Sequence, residues 1–371
     1  MRVTKGRRHH RERDKSEHER HPRGKTHVLL DFHSEGQHTL EAPKRPRHSI
    51  RRGLSAQGVA NVDPSPKPGQ HDGEIHEARV NHLSSLPFPA PAIIRFEGPV
   101  AFDVVDMREF LGMQRVTDTT WRFHVTDRLI TPGQFLFGGC GLAAGVTALE
   151  EASGRPTIYA AAHYLSFAPF ESEVDVVVDL AVQGHRVTQA RATASVDGRE
   201  VLTVNAALGT GELASPTPWL LMPDVPAPED CRKRQMPSRY DNSIFNYVET
   251  RIALGRSFDE LDGTSGSPIS ALWVRVPSHL EPSAATLAIF GDFVAGGASQ
   301  PLGQNTMGRS LDNTIRIATL VPTEWVLVET HMHALSGGFA QGTGYLWSRD
   351  GVLLGTASQS MSSKFWDPPA K

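Results

Sequence analysis

The sequence predicts an α+β fold made of two copies of one unit, each a helix of small and medium apolar residues followed by a run of antiparallel strands. Three observations carry this reading. Two stretches of helical pattern, GGCGLAAGVTALEEASG at 138–154 and EPSAATLAIFGDFVAGG at 281–297, are each followed by segments that alternate apolar and polar residues. Each run of strands closes on a hairpin that turns on Asp-Gly, the strongest short-range hairpin signal. The two turns, Asp197-Gly198 and Asp350-Gly351, stand 153 residues apart.

In chain order, residues 1–95 form a disordered basic tail: charge and His come first, then PSPKPGQHDGE and LPFPAPA, with too little apolar periodicity to join a core. From Phe102 the pattern changes. FDVVDMREFLGMQRV leads into strand-like TDTTWRFHVTD, and a small-residue helix then opens on Gly138 and Gly139 and stops at Gly154. The extended segments TIYAAAHYLSFA (157–168), SEVDVVVDLAVQG (172–184) and the hairpin over 187–208 complete a first unit at 96–212. Residues 213–243, rich in Pro and without a sustained period, read as a linker. The second unit, 244–371, opens on SIFNYVETRIAL and ISALWVRV. Its helix follows, with Pro282 and Ser283 at the start, and then DNTIRIATLV (312–321), TEWVLVETHMHAL (323–335) and GTGYLWSRDGVLLGTASQSM (342–361). One irregular α+β domain is the competing reading of the same pattern.

Composition bounds the function. A length of 371 residues suggests two domains, or one large domain with appendages. Residues 1–52 hold 15 Lys and Arg against 7 Asp and Glu, residues 53–95 hold 3 against 4, and 96–371 is left with a net charge of −10. A nucleic-acid-binding body is thereby excluded for 96–371, and the basic tail reads as solvated charge rather than an arm for an anionic surface. Cys140 and Cys231 lie 91 positions apart, which excludes a disulfide scaffold and a four-cysteine zinc site, and makes a reducing cytoplasm the simplest compartment. No run approaches the ~18 consecutive apolar residues of a membrane span, so no membrane partner is expected. The sequence holds no P-loop, dinucleotide fingerprint, GxSxG elbow or kinase signature, so nucleotide-dependent and Ser-His-Asp chemistry have no support.

A helix of small residues can be wrapped by its own curved antiparallel sheet, the hotdog arrangement, and two such sheets side by side leave a groove between the helices suited to an extended acyl chain. The first unit carries LFGGCGLAAGVTALEEA, HYLSFAPF and GHRVTQARATASVDGREVLTVNAALG; the second carries LAIFGDF, RSLDNTIRI and EWVLVETHMHALSGGFAQGTGYLWSRDGVLLGTASQSM. Through the order and spacing of these strings, the chain from about 102 to 366 resembles the acyl-CoA thioesterase II family, the double-hotdog thioesterases, and particularly its divergent thioesterase-like branch.

The resemblance implies hydrolysis of an acyl-CoA thioester to free fatty acid and CoA by directly activated water, with CoA as part of the substrate and no cofactor. The family's constellation is an Asp on the second-half helix, a Thr or Ser entering the next strand, and a Gln near the end of the last strand. It falls on Asp292 of FGDF, Ser310 of RSLDN and Gln359 of TASQSM. Asp292 is then the general base, and Ser310 and Gln359 orient the water. Gly138 and Gly139, at a helix start, are placed to offer backbone N–H groups to a thioester oxygen or a phosphate.

Two departures stand out. Cys140 occupies a position where family members commonly carry Gln, and AAAHYLSFAPF replaces an Arg-Pro-Gly corner. Cys140 reads as a small core residue, with a nucleophile at the helix start as the alternative. His331 and His333 alternate in ETHMHAL and read as one face of a partly exposed strand; no third ligand accompanies them, so no metal site is expected.

The expected partner is the acyl-CoA substrate, and paired sheets are compatible with a homo-oligomer. From another functional class, the alternative is a non-catalytic acyl-CoA or lipid-binding double hotdog. Hydratase or dehydratase chemistry lacks a clear Asp/His pair. Deleting residues 1–95 is expected to leave the thermal unfolding midpoint nearly unchanged, because the tail has little to contribute to a core. A large drop in the calorimetric midpoint would show that the tail packs on the body.

Overall fold

The structure, a computed structural model, describes residues 105–212, 219–277 and 280–366; the tail 1–95 lies outside the described residues. The first half runs α1 (Met107–Leu111), β1 (Gln114–Arg115), β2 (Thr120–His124), α2 (Gly138–Ser153), β3 (Thr157–Tyr164), β4 (Glu173–Gln183), β5 (Val187–Val196) and β6 (Arg199–Gly209). The second runs β7 (Arg232–Lys233), β8 (Glu249–Leu254), β9 (Ile269–Arg275), α3 (Ala284–Gly291), a 3-10 segment Asp292–Ala298, α4 (Ser299–Leu302), β10 (Thr306–Ile317), β11 (Val326–Ser336), β12 (Phe339–Ser348) and β13 (Leu353–Phe365).

Small residues decide where α2 can lie. It is buried from Gly139 to Leu149 and sits so close to β6 that a Cβ at Gly145 would come within 2.8 Å of the Val204 side chain. Only a chain that omits side-chain bulk on that face allows such an approach. α2 packs on β3 to β6, α3 and the 3-10 segment pack on the second-half strands, and α2 and α3 touch each other.

The strands form one antiparallel sheet of thirteen, in the order β1-β2-β4-β5-β6-β3-β10-β13-β12-β11-β9-β8-β7. The two hotdog sheets thus run into one another at the β3–β10 seam. The first half reads β2-β4-β5-β6-β3 from rim to seam, and the second reads β9-β11-β12-β13-β10. One offset relates them. Gly139 and Asp292 are 153 residues apart. The same separation carries Glu173–Gln183 of β4 onto Val326–Ser336 of β11, and the strand pair Ala160↔Ala206 onto Asn313↔Gln359. At the seam Ala162 pairs with Asn313 and Ala160 with Ile315, a register that this offset maps onto itself. A pseudo-two-fold axis therefore passes through the pair Ala161↔Thr314.

Two expectations are corrected, and a third, the pair of Asp-Gly hairpins, holds with a difference in turn geometry. The helical pattern over 281–297 is not one helix: Ser283 caps α3 by accepting from the Thr286 N–H at 3.0 Å, and the chain then tightens into the 3-10 segment at Asp292. Gly291, Gly296 and Gly297 lower helix preference along this stretch. The segment read as a linker contributes the edge strand β7, and its Met222, Val225 and Cys231 cover Trp273, Trp325 and Trp347 on the second half. The two Asp-Gly turns also differ. Asp197 and Gly198 take φ of 50° and 77°, as a type I′ turn requires, whereas in the second turn Gly351 takes φ 82° and donates back to the Ser348 carbonyl. No helix among the described residues is long and apolar enough to cross a membrane.

Because β3 is completed only by β10, residues 96–212 expressed alone are expected to expose the Tyr159–His163 edge and the α2 surface that meets α3, and to aggregate or self-pair. A stable, soluble monomer in size-exclusion chromatography would contradict this.

Candidate active site

Asp292 is the first residue of the 3-10 segment and is only 4% exposed. Its carboxylate is surrounded by donors. Oδ2 accepts from the Gly139 backbone N–H at 2.7 Å. Oδ1 accepts from Ser310 Oγ at 3.3 Å, from Asn313 Nδ2 at 3.5 Å, and from Gln359 Nε2, which also reaches Ser310 Oγ at 2.7 Å. The sequence-predicted trio Asp292, Ser310 and Gln359 thus meets in one place, and Asn313 joins it.

Local backbone structure explains the convergence. The residue before α2, Phe137, makes no side-chain cap to the helix, and Gly139 is the second residue of that helix. Asp292 occupies the place of the missing cap from the other half of the chain, where a carboxylate is also favoured by the helix dipole. On β10 the register slips between Ser310 and Asp312, so Leu311 is an extra, exposed residue. In a regular strand, residues three apart face opposite sides. The bulge at Leu311 turns Ser310 and Asn313 to the same side, and Gln359 pairs directly across from Asn313. Asp312 is not part of the site; its Oδ1 accepts the Ser360 N–H at 2.8 Å and pins the bulge.

Electrostatically, burial dominates. It pushes the Asp292 pKa up to about 6 from 3.8, against the opposing pull of the Gly139, Gln359, Ser310 and Asn313 donors. Three buried polar atoms at this place, Asn313 Oδ1, Gln359 Oε1 and the Tyr164 hydroxyl, have no hydrogen-bond partner among the described residues. Burial first, and the Asp292 charge second, raise the Tyr164 pKa well above its ordinary value, so it stays a neutral donor. Tyr164 and Asp292 flank Gly138: a Cβ there would stand 2.9 Å from Asp292 Oδ2 and 3.0 Å from the Tyr164 hydroxyl.

Asp292, Ser310, Tyr164 and Gly138 all face a cavity of about 450 Å³ whose walls are mostly apolar, with Phe137, Phe245 and Phe293 packed edge to face. Of the two glycines expected to meet substrate, Gly138 lines this cavity, whereas the Gly139 N–H is committed to Asp292 and serves to position it. Cys140 is fully buried, and burial followed by the Asp292 charge raises its thiol well above the usual range, which leaves it a protonated core residue. His331 bonds to Glu329 at 2.7 Å, and His333 falls at a bulge in β11, so the alternation that would have put both on one face is broken.

Tyr164, Asn313 and Arg234, which also faces the cavity, were not singled out by sequence reasoning. Asn313 could have been found only by foreseeing the bulge. Tyr164 sits within the HYLSFAPF string and carries no distinguishing spacing.

Comparison with known proteins follows the same division of the chain. A family model of the acyl-CoA thioesterase N-terminal domain matches residues 126–209, and one of the acyl-CoA thioesterase C-terminal domain matches residues 228–362. Among solved structures, a provisionally assigned thioesterase from Novosphingobium aromaticivorans is 32% identical over 67% of this chain and 97% of its own, with a TM-score of 0.62. A conserved protein of unknown function with a hot dog fold from Alicyclobacillus acidocaldarius, 18% identical over 71% of this chain and 98% of its own, has a TM-score of 0.61. An acyl-CoA thioesterase II from Mycobacterium marinum, 17% identical over 71% of this chain and 99% of its own, has a TM-score of 0.53 and shares the fold. No curated protein sequence matches the chain.

The raised pKa has a stability signature. The folded state holds the Asp292 proton more tightly than the unfolded chain, so the group's contribution to stability is full below about pH 4 and is lost as pH rises through about 6. At about 1.4 kcal/mol per pKa unit, the stability of the wild type relative to Asp292→Asn is expected to fall by up to about 3 kcal/mol between pH 4 and 7. Denaturant melts across that range measure it, and a pH-independent difference would contradict the raised pKa.

Proposed function

This chain belongs to the double-hotdog acyl-CoA thioesterase II family, and from that premise we propose that it hydrolyses an acyl-CoA thioester to a carboxylic acid and CoA by direct attack of water. The observation that carries the reading is a buried carboxylate with a pKa of about 6, held by fixed donors at the wall of an apolar cavity. A base poised near the working pH balances the fraction ionised against proton affinity. Asp292 takes a proton from water as the water oxygen bonds to the thioester carbon. Gln359, Ser310 and Asn313 hold the carboxylate, and the free amide oxygens of Gln359 and Asn313 are available to orient the water. The carbonyl oxygen, gaining charge, is received by the Gly138 N–H at the α2 start and by the Tyr164 hydroxyl. Collapse breaks the carbon–sulfur bond, and the proton on Asp292 passes to the leaving thiolate, so that water and thioester become acid and thiol.

The alternative is a binder of acyl-CoA without turnover, which draws on the same carboxylate being occupied by four protein donors. Both cysteines are free and buried, and we place the protein in the cytoplasm on that basis.

Asp292→Asn is expected to lower thiol release by about 10²–10⁴-fold while acyl-CoA binding changes little. Ser310→Ala and Gln359→Ala are expected to lower turnover as well, with combined variants losing less than the product of the single effects. In the wild type, kcat/KM is expected to rise with pH and level off above about 6. Saturable acyl-CoA binding with no thiol release would favour the binder, and full activity in Asp292→Asn would remove Asp292 as the base.

A further inference from the structure

The apolar cavity holds an unexpected charge. Arg234, from the segment ahead of β8, lines both the main cavity and a small adjoining one of about 20 Å³. Its backbone N–H is fixed on the Thr250 carbonyl at 2.8 Å. The guanidinium carbon stands 4.5 Å over the Phe258 ring, a cation–π contact. Nearby Arg232, Arg251, Arg256 and Arg275 each pair with a carboxylate, but among the described residues none lies within 4.0 Å of Arg234. Burial draws its pKa below the ordinary value, as expected for a cation without a counter-charge.

A half-buried guanidinium with no counter-charge, facing a mostly apolar cavity, is costly unless a ligand supplies the anion. We propose that Arg234 is an anion-recognition subsite within the acyl cavity, and that the acyl group this chain accepts carries a carboxylate remote from the thioester. This rests on the thioesterase reading above. A carboxylate matches the guanidinium fork through two parallel hydrogen bonds. A plain fatty acyl chain would press methylenes on the charge and strip its remaining hydration, so the same residue selects against ordinary fatty acyl groups. The subsite is also away from the reacting carbonyl. Arg234 lines, besides the main cavity, the small adjoining one, whose walls include none of Gly138, Tyr164, Asp292 and Ser310.

CoA carries anions of its own, so the test must separate the two ends of the substrate. Wild type, Arg234→Met and Arg234→Lys are compared on dicarboxylyl-CoA and fatty acyl-CoA esters matched at each even length from four to ten carbons, such as suberyl-CoA with octanoyl-CoA. Thiol release gives kcat/KM, and calorimetry with the matched non-hydrolysable thioethers gives Kd independently of turnover. The wild type is expected to prefer the carboxylated member at one or more lengths. Arg234→Met is expected to lower that preference about 10- to 100-fold, the size of a lost hydrogen bond to a charged group, with fatty acyl-CoA unchanged or improved. Arg234→Lys, which keeps the charge without the fork, is expected to fall between.

No preference at any length overturns the proposal. So does an equal loss on both members of each pair, which is what a contact with the CoA phosphates would give. If neither ester is cleaved but the carboxylated thioether binds better and Arg234→Met abolishes the preference, the thioesterase reading fails and the subsite stands. Should Arg234→Met not fold, Arg234→Lys together with competition by free suberate against the fatty acyl thioether decides; absence of competition in the wild type counts against the subsite.

Discussion

The hydrogen bond from the Gly139 N–H to the Asp292 carboxylate is the contact on which the site depends. It supplies the cap that Phe137 does not give to α2, it ties the helix of one half to the chain of the other, and it fixes the carboxylate at the cavity wall. Its 2.7 Å length requires a close approach, and Gly139 permits it: a Cβ there would meet the Ile289 Cα at 2.8 Å. The same approach buries the carboxylate. In water, four donors would hold an aspartate below its ordinary range; here desolvation outweighs them and leaves a base near neutrality.

The halves share a fold but not a chemistry. At the constant separation of 153 residues, Asp292, Ser310, Asn313 and Gln359 correspond to Gly139, Thr157, Ala160 and Ala206. The first half has no acid and no amide at the equivalent places, so the repeat carries one site, and the half without it provides the helix start, Tyr164 and part of the cavity wall. A polar cluster built on one side of the seam is completed by backbone from the other.

How much of this was legible in the sequence depends on how local the cause is. The duplication could be read because it leaves a period, visible in the Asp-Gly turns and the alternating strands. Ser310 and Asp292 were reached through resemblance. Gln359 too was reached through resemblance, and its amide lies in an apolar strand, where burial is costly unless satisfied. Asn313 was hidden by the bulge at Leu311, since alternation assigns it to the opposite face from Ser310. Arg234 lies in a Pro-rich stretch with no period, and only the chain path around the second half carries it to the cavity. The break between α3 and the 3-10 segment was masked, because the apolar helical pattern runs on across Gly291, Gly296 and Gly297, whose low helix preference weakens the helix there.

The geometry at the pseudo-axis also bears on ancestry. In an assembly of two identical unfused units, whatever residue stands at one position must stand at its symmetry mate. In this packing Gly139 and Asp292 are such mates, they touch, and one of them has no room even for a Cβ. Two identical chains could not make this contact. Joining the copies in one polypeptide frees the two positions to differ, and a site that needs a bare backbone facing an acid across its own symmetry axis is one that only two non-identical units can encode.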